Sequence, residues 1–193
     1  MGKIIVLIGS SGSGKNYIGR ILSDSHNIKE LVSYTSREPR EGELEGRHYY
    51  FLDRETAKNL AVYAVENTFY DNNYYGLSRE EVDRKREDGN HVYFICDRRG
   101  AEMIKREYRD DVIVFWIKTS ILTMVKRMYK RGDSIFSILK RVVHAVKNDE
   151  LKPPKYYDSV LNGNNNDYSK NIKIILNKTK GECEVLWKND FMK

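Results

Sequence analysis

Gly9-Ser10-Ser11-Gly12-Ser13-Gly14-Lys15 follows directly on the apolar run Ile4-Ile5-Val6-Leu7-Ile8. It leads into a segment with helical spacing, Lys15 to Ser25, whose Ile18, Ile21 and Leu22 share one face. The apolar run is short, β-branched and unbroken, as in a strand buried on both faces of a parallel sheet. The spacing G-x-x-x-x-G-K between strand and helix has a physical reason. Glycines let backbone N–H groups turn inward around a phosphate with no Cβ in the way, the helix points its positive end at the same anion, and the lysine supplies a mobile cation for the outer phosphates. Strand, loop and helix thus open a βαβ unit whose Ser10, Ser11, Gly12, Ser13, Gly14 and Lys15 are candidate phosphate-binding residues. A Ser or Thr hydroxyl after the lysine would ligate Mg²⁺; here that place holds Asn16, whose amide oxygen is the candidate metal-facing group.

Outward from this opening, Leu31 to Tyr34 reads as a short second strand and Thr35 to Arg47, with Pro39, Gly42 and Gly46, as a loop. Tyr49 to Phe51 is extended, Arg54 to Val65 helical, and Phe69 to Leu77 a turn between short strands. Arg79 to Asp88 reads as a helix ended by Gly89. Buried strands are expected at Val92 to Cys96 and Val112 to Ile117, with a short one at Ser159 to Leu161. Helices are expected at Gly100 to Tyr108, Ile121 to Tyr129 and Ser134 to Lys147; Ile172 to Leu176 and Val185 to Trp187 are weaker strand or helix candidates. Strands alternate with helices at both ends, around a tyrosine-rich stretch. The expectation is an α/β fold, a parallel sheet core flanked by helices, with a subdomain inserted near residues 34–89.

The chain has 193 residues, 40% hydrophobic and 32% charged, which fits one globular domain and excludes disorder. Its net charge of +6 is by itself read first as a basic soluble surface; the sharper reading is a polyanion site, for nucleotide phosphates or nucleic acid, to be decided by where the arginines sit. Two cysteines, Cys96 and Cys183, are too few for a zinc site and point to a reducing compartment. The first apolar run is too short to span a membrane and has no cleavage pattern after it, so a cytoplasmic protein with no membrane partner is expected.

The loop after the second strand reads Ser33-Tyr34-Thr35-Ser36-Arg37-Glu38-Pro39-Arg40-Glu41-Gly42-Glu43, followed by Glu45-Gly46-Arg47-His48-Tyr49-Tyr50-Phe51. Two arginines set apart by a rigid proline can grip one phosphate with forked donors. Together with the glycine loop and with Glu66 ahead of Tyr74-Tyr75-Gly76, this stretch resembles the guanylate kinase family, in the right order from about residue 3 to residue 162. The resemblance implies a P-loop NTPase fold in a single domain over residues 1–193. Its core would be about 1–33, 90–128 and 148–193, its nucleoside monophosphate (NMP) binding insertion about 34–89 and its lid about 129–147.

It further implies ATP-dependent phosphorylation of GMP or dGMP, with ATP and Mg²⁺ as cofactors. Nucleotides rather than nucleic acid would be its partners, and it would be a monomer or homodimer. By the same resemblance Arg37, Arg40, Tyr49 and Tyr75 hold the acceptor phosphate, and Ser33, Glu66 and Asp97 lie on the acceptor's base side. Arg127 and Asn162 serve ATP, and Lys15, Arg37, Arg131 and Arg141 carry the catalysis. Guanine suits this set: its N1–H and N2–H₂ edge offers two adjacent donors to the Glu66 carboxylate, and adenine has no such pair.

Two positions depart from the family pattern. A hydroxyl expected after Tyr-Gly is replaced by Leu77, with Ser78 one residue late, and an expected Asp-x-Asp reads Ile95-Cys96-Asp97. These departures motivate a rival, a related phosphotransferase with another nucleotide or a phosphorylated sugar as acceptor. A binding module without catalysis is disfavoured by the intact Gly9, Gly14 and Lys15. A nucleic-acid binder is disfavoured because the informative arginines fall inside kinase motifs rather than in one stripe with aromatics.

Overall fold

The structure is a computed structural model and describes residues 1–165 and 167–181. Nine strands and seven α-helices are present among the described residues. Strand β1 (Ile4–Ile8) is the centre of an all-parallel five-stranded sheet of order β2-β7-β1-β8-β9, with β2 at Lys29–Glu30, β7 at Val92–Ile95, β8 at Val112–Lys118 and β9 at Ser159–Asn162. All five residues of β1 are buried, as expected of a central strand covered on both faces.

Alternation along the strands divides the core in two. Ile4, Val6, Ile8, Val92, Phe94, Val112 and Val114 pack on one face with Ala101 and Ile104 of α4 (Arg98–Tyr108). Ile5, Leu7, Ile113, Phe115 and Ile117 pack on the other with Ile18 and Leu22 of α1 (Lys15–His26) and Ile172 and Ile175 of α7 (Ser169–Thr179).

A second sheet of order β4-β3-β6-β5 is formed by β3 (Tyr34–Thr35), β4 (Tyr50–Phe51), β5 (Glu66–Tyr70) and β6 (Asn73–Leu77). Helices α2 (Arg54–Ala61) and α3 (Arg79–Lys85) belong to the same stretch of chain, each capped by a side chain, Asp53 and Ser78. Helices α5 (Ile121–Lys130) and α6 (Ile135–Lys147) form an antiparallel hairpin around Met124, Met128, Ile138 and Ala145.

Several boundaries differ from those read in the sequence. The segment Leu31 to Tyr34 is not one strand: β2 ends at Glu30, Leu31 and Val32 are buried between the sheets, and β3 begins at Tyr34. The helix expected to reach Val65 stops at Ala61, because Val65 is needed in the core ahead of β5. Asp97 caps α4, which therefore starts two residues before Gly100, and the weak candidate Ile172 to Leu176 is helical within α7. Val185 to Trp187 and Cys183 lie outside the described residues. Among the described residues no helix is long and apolar enough to cross a membrane.

One buried carboxylate ties the two sheets. Glu81 of α3 is 3% exposed; it accepts from the Val32 N–H at 3.0 Å and the Tyr50 hydroxyl at 3.1 Å, and pairs with Arg84 at 2.6 Å and Lys85 at 2.5 Å. Val32 is where the chain leaves the large sheet and Tyr50 belongs to the small one. Glu81→Ala strands a buried backbone donor and an ammonium together, so it is expected to lower the unfolding free energy by about 3 kcal/mol. A urea titration at unchanged m-value measures it, and a variant with the wild-type midpoint contradicts it.

Candidate active site

The glycine loop takes backbone angles that side chains resist: φ is +77° at Gly12 and +104° at Gly14. A Cβ on Gly14 would stand 2.5 Å from the Tyr168 hydroxyl, and one on Gly12 would stand 3.0 Å from the Met124 carbonyl oxygen. Gly14 is also the N-cap of α1 and offers no side-chain bond to it, so the first N–H groups of that helix are left for an anion. Ser10 and Ser13 are buried, and the Ser13 hydroxyl has no partner among the described residues.

Lys15 Nζ donates to the carbonyl oxygens of Gly9 at 2.6 Å and Ser10 at 3.0 Å, folding the side chain over its own loop. Burial brings its pKa down to about 8; Glu150 opposes that fall and Arg131 adds to it. Arg127 approaches from behind. Its Nη1 donates to the carbonyl oxygens of Gly12 at 3.3 Å and Ser13 at 3.2 Å, its Nη2 donates to that of Asn165 at 3.2 Å, and its guanidinium lies 5.8 Å from the Tyr168 ring centre. Asn162 closes the neighbouring turn: its side-chain oxygen accepts from the Asn164 N–H at 2.9 Å, and its main chain is bonded twice by Asn171.

Across the cleft, Arg37 is fixed by Glu43, whose two oxygens each accept from Nη2 at 2.9 Å, and by the Glu38 carbonyl oxygen at 2.6 Å. Its guanidinium lies 5.6 Å from the Tyr49 ring centre and 6.0 Å from that of Phe51. Glu43 also accepts from the Arg40 N–H at 2.8 Å, while the Arg40 side chain stays exposed. Tyr49 meets Tyr75 of β6 edge-on, ring centres 6.0 Å apart. The sequence reading assigned no role to Glu43, although it stands three residues after Arg40 in the same motif. Asn16, Ser33, Glu43 and Tyr49 line one cavity of about 410 Å³, so the helix behind the glycine loop and the arginine loop share a single space.

A neighbouring cavity of about 280 Å³ is lined by Ser33, Glu66, Thr68, Tyr75, Cys96 and Asp97. Burial, and then repulsion by Asp97, push the Glu66 pKa up to about 7, with Arg99 acting the other way. Leu77 is fully buried in the core, and Ser78 spends its hydroxyl accepting from the Glu81 N–H at 3.2 Å as the cap of α3. Neither reaches this cavity. Thr68, two residues along β5 from Glu66, places a hydroxyl on its wall, which periodicity alone could have indicated and the motif did not.

Arg131 and Arg141 converge on one carboxylate, Asp133. Arg141, Lys140 and His144 of α6 line a gap with Ser11 of the glycine loop, Tyr70 of β5 and Glu150. His144 Nδ1 lies 3.2 Å from the Glu150 carboxylate. Among the described residues there is no cluster of three or more metal-ligating side chains. Oxygen donors near the glycine loop include the Asn16 amide, which lines the cavity of about 410 Å³, and the Asp97 and Glu150 carboxylates, which line a different cavity with Gly9. That donor set suits an Mg²⁺ held mainly by substrate phosphates and water.

The family model described as Guanylate kinase matches residues 1–179. The guanylate kinase of Clostridium tetani (strain Massachusetts / E88) is 31% identical over 190 residues, covering 95% of this chain and 88% of its own length. That of Clostridium perfringens (strain SM101 / Type A) is 33% identical over 195 residues, covering 97% and 88%. Among solved structures, the guanylate kinase from Anaplasma phagocytophilum superposes with a TM-score of 0.62 at 28% identity, covering 94% of this chain and 86% of that one.

The Asp97–Glu66 repulsion can be removed without losing the helix cap, since Asn caps as well as Asp. In Asp97→Asn the Glu66 carboxyl, followed by carbon-13 NMR, is expected to titrate below its wild-type value of about 7. An unmoved titration would leave burial as the whole cause.

Proposed function

The chain belongs to the guanylate kinase family, and from that premise we propose that it transfers the γ-phosphoryl group of ATP to GMP or dGMP in one in-line step, with no covalent enzyme intermediate. The observation that carries this reading is the shared cavity: the residue after Lys15 and the residues around Arg37 line the same space, as two phosphates about to exchange a phosphoryl group require.

The loop amides, the uncapped start of α1 and Lys15 hold the donor phosphates. A Mg²⁺ bound with ATP, near Asn16, would neutralise charge on the phosphate oxygens. Arg37, Arg40, Tyr49 and Tyr75 hold the acceptor phosphate; its attacking oxygen is already an anion, so no strong general base is needed. Glu66 accepts from guanine N1–H and N2–H₂, and Ser33 donates to O6. Arg131 and Arg141 meet the charge that spreads over the transferring group. Residues 34–89 and 129–147 act as the two jaws that close on the nucleotides and keep water from the phosphoryl group. We place this activity in the cytoplasm, in a monomer or homodimer that engages neither membrane nor nucleic acid.

A coupled assay of ATP against GMP, dGMP, AMP, UMP and CMP tests the reading directly. Transfer to GMP and dGMP is expected; a preference for another acceptor refutes the base assignment. Arg40→Met should lower kcat/KM for GMP by about 100-fold. Its unfolding midpoint should not move, because that side chain is exposed.

Glu66 also predicts a pH dependence. A raised carboxyl pKa means that acid fills the protonated form, which cannot accept both guanine donors. Hence kcat/KM for GMP should fall as pH drops through about 7, the Glu66 value in the free protein. The inflection should move to lower pH in Asp97→Asn. An inflection that ignores that substitution belongs to the substrate phosphate instead.

A further inference from the structure

Asp133 stands in the short link between α5 and α6. Arg131 grips it side-on, Nε donating to Oδ1 at 3.0 Å and Nη2 to Oδ2 at 2.5 Å. Arg141 reaches the same carboxylate from well inside α6, its Nη1 3.7 Å from Oδ2. The Asp133 side chain is only 15% exposed, against 55% and 44% for the two arginines that cover it.

The turn explains the meeting. Arg131 is the C-cap of α5, Gly132 reverses the chain at φ +92°, and Ser134 caps α6. Helical side chains lean toward the N-terminus, so Arg141 runs back along α6 toward the link. Asp133 is not needed as a cap, because the Ser134 hydroxyl already accepts from the Ser137 N–H at 3.2 Å.

Two guanidiniums brought to one phosphoryl group repel each other, and a carboxylate between them removes that obstacle. The Asp133 carboxyl is held below the usual carboxylate range, first by its bond from Arg131. Two N–H groups of Arg131, Nε and one Nη, donate to it, while Arg141 meets it as an ion pair at 3.7 Å; each guanidinium carries five N–H donors. The N–H groups on the other edges stay available for phosphate oxygens. Both arginines stand near the phosphate loop: the Arg131 charge is felt at Lys15, and Arg141 shares a gap with Ser11.

We propose that Asp133 is the positioning carboxylate of the helical hairpin, fixing the plane of Arg131 and holding Arg141 beside it by charge so that their free edges meet the phosphoryl group in flight above Lys15. The assignment rests on the catalytic reading of those two arginines given above.

Steady-state kinetics of the full chain test it. Asp133→Asn keeps the shape and removes the charge. It should lower kcat about tenfold while KM for ATP and for GMP stay within about twofold and the unfolding midpoint holds. Asp133→Glu should recover part of the loss. In an Arg131→Met background the same Asp133→Asn change should cost less, since the nearer of its two clients is gone. A readout independent of turnover is the NMR signal of the Arg131 Nε–H, whose exchange with water should be slow in the wild type and fast in Asp133→Asn. Wild-type or higher kcat in Asp133→Asn overturns the proposal, as does an equal loss in both backgrounds, a loss that tracks the unfolding midpoint, or unchanged Nε–H exchange. If the wild type transfers nothing to GMP, the catalytic reading itself falls and takes this proposal with it. If the wild type transfers and Asp133→Asn does so at the same rate, only the role of Asp133 is lost.

Discussion

A lysine ammonium folded over the carbonyl oxygens of its own loop, beside a helix start with no side-chain cap, is the constraint from which the remaining structure follows. Such an arrangement concentrates positive potential and unpaired N–H groups at one point, which is costly unless an anion arrives. The fold supports that point from behind. Arg127 binds the outward carbonyl oxygens of the loop, Tyr168 packs where a Cβ on Gly14 would stand, and β1 holds the loop's root between two parallel neighbours. These contacts fix the loop before any ligand binds, so little ordering remains to be done on binding.

Acidic residues organise the cations around this point. Glu43 holds Arg37, Asp133 holds Arg131 and Arg141, and Glu150 lies near enough to Lys15 to oppose the effect of its burial. The cavity lined by Glu66 inverts the pattern. There Asp97 and Glu66 are two acids close together with Arg99 as partial relief, and Glu66 is left poised near neutrality. Cations steadied by carboxylates therefore stand around the glycine and arginine loops, and a carboxyl raised by its surroundings stands in the neighbouring cavity.

Much of this was legible in the sequence, and the reasons differ by element. The glycine loop could be read because its backbone takes positive φ at Gly12 and Gly14, so the turn is written in residue type. The parallel core could be read because β1, β7 and β8 are continuous apolar runs. The helix boundary at Ala61 could not, since Val65 is recruited by distant partners such as Leu77 and Val82 rather than by its neighbours. Glu43, Glu81 and Asp133 were missed for a related reason: a lone acid in a charged loop has no pattern until its arginine is located in space. Leu77 was read as a missing hydroxyl, and the structure gives its cause in the core position it fills.

The packing of Tyr168 behind Gly14 has a bearing on the order of events during synthesis. The loop lies near the start of the chain, yet the wall behind it is built from β8, from Arg127 and from the residues leading into α7, close to the end of the described chain. Contacts so distant in sequence form late. While the ribosome is still at work, the glycine loop emerges without its backing, which is complete only once the residues leading into α7 have been made.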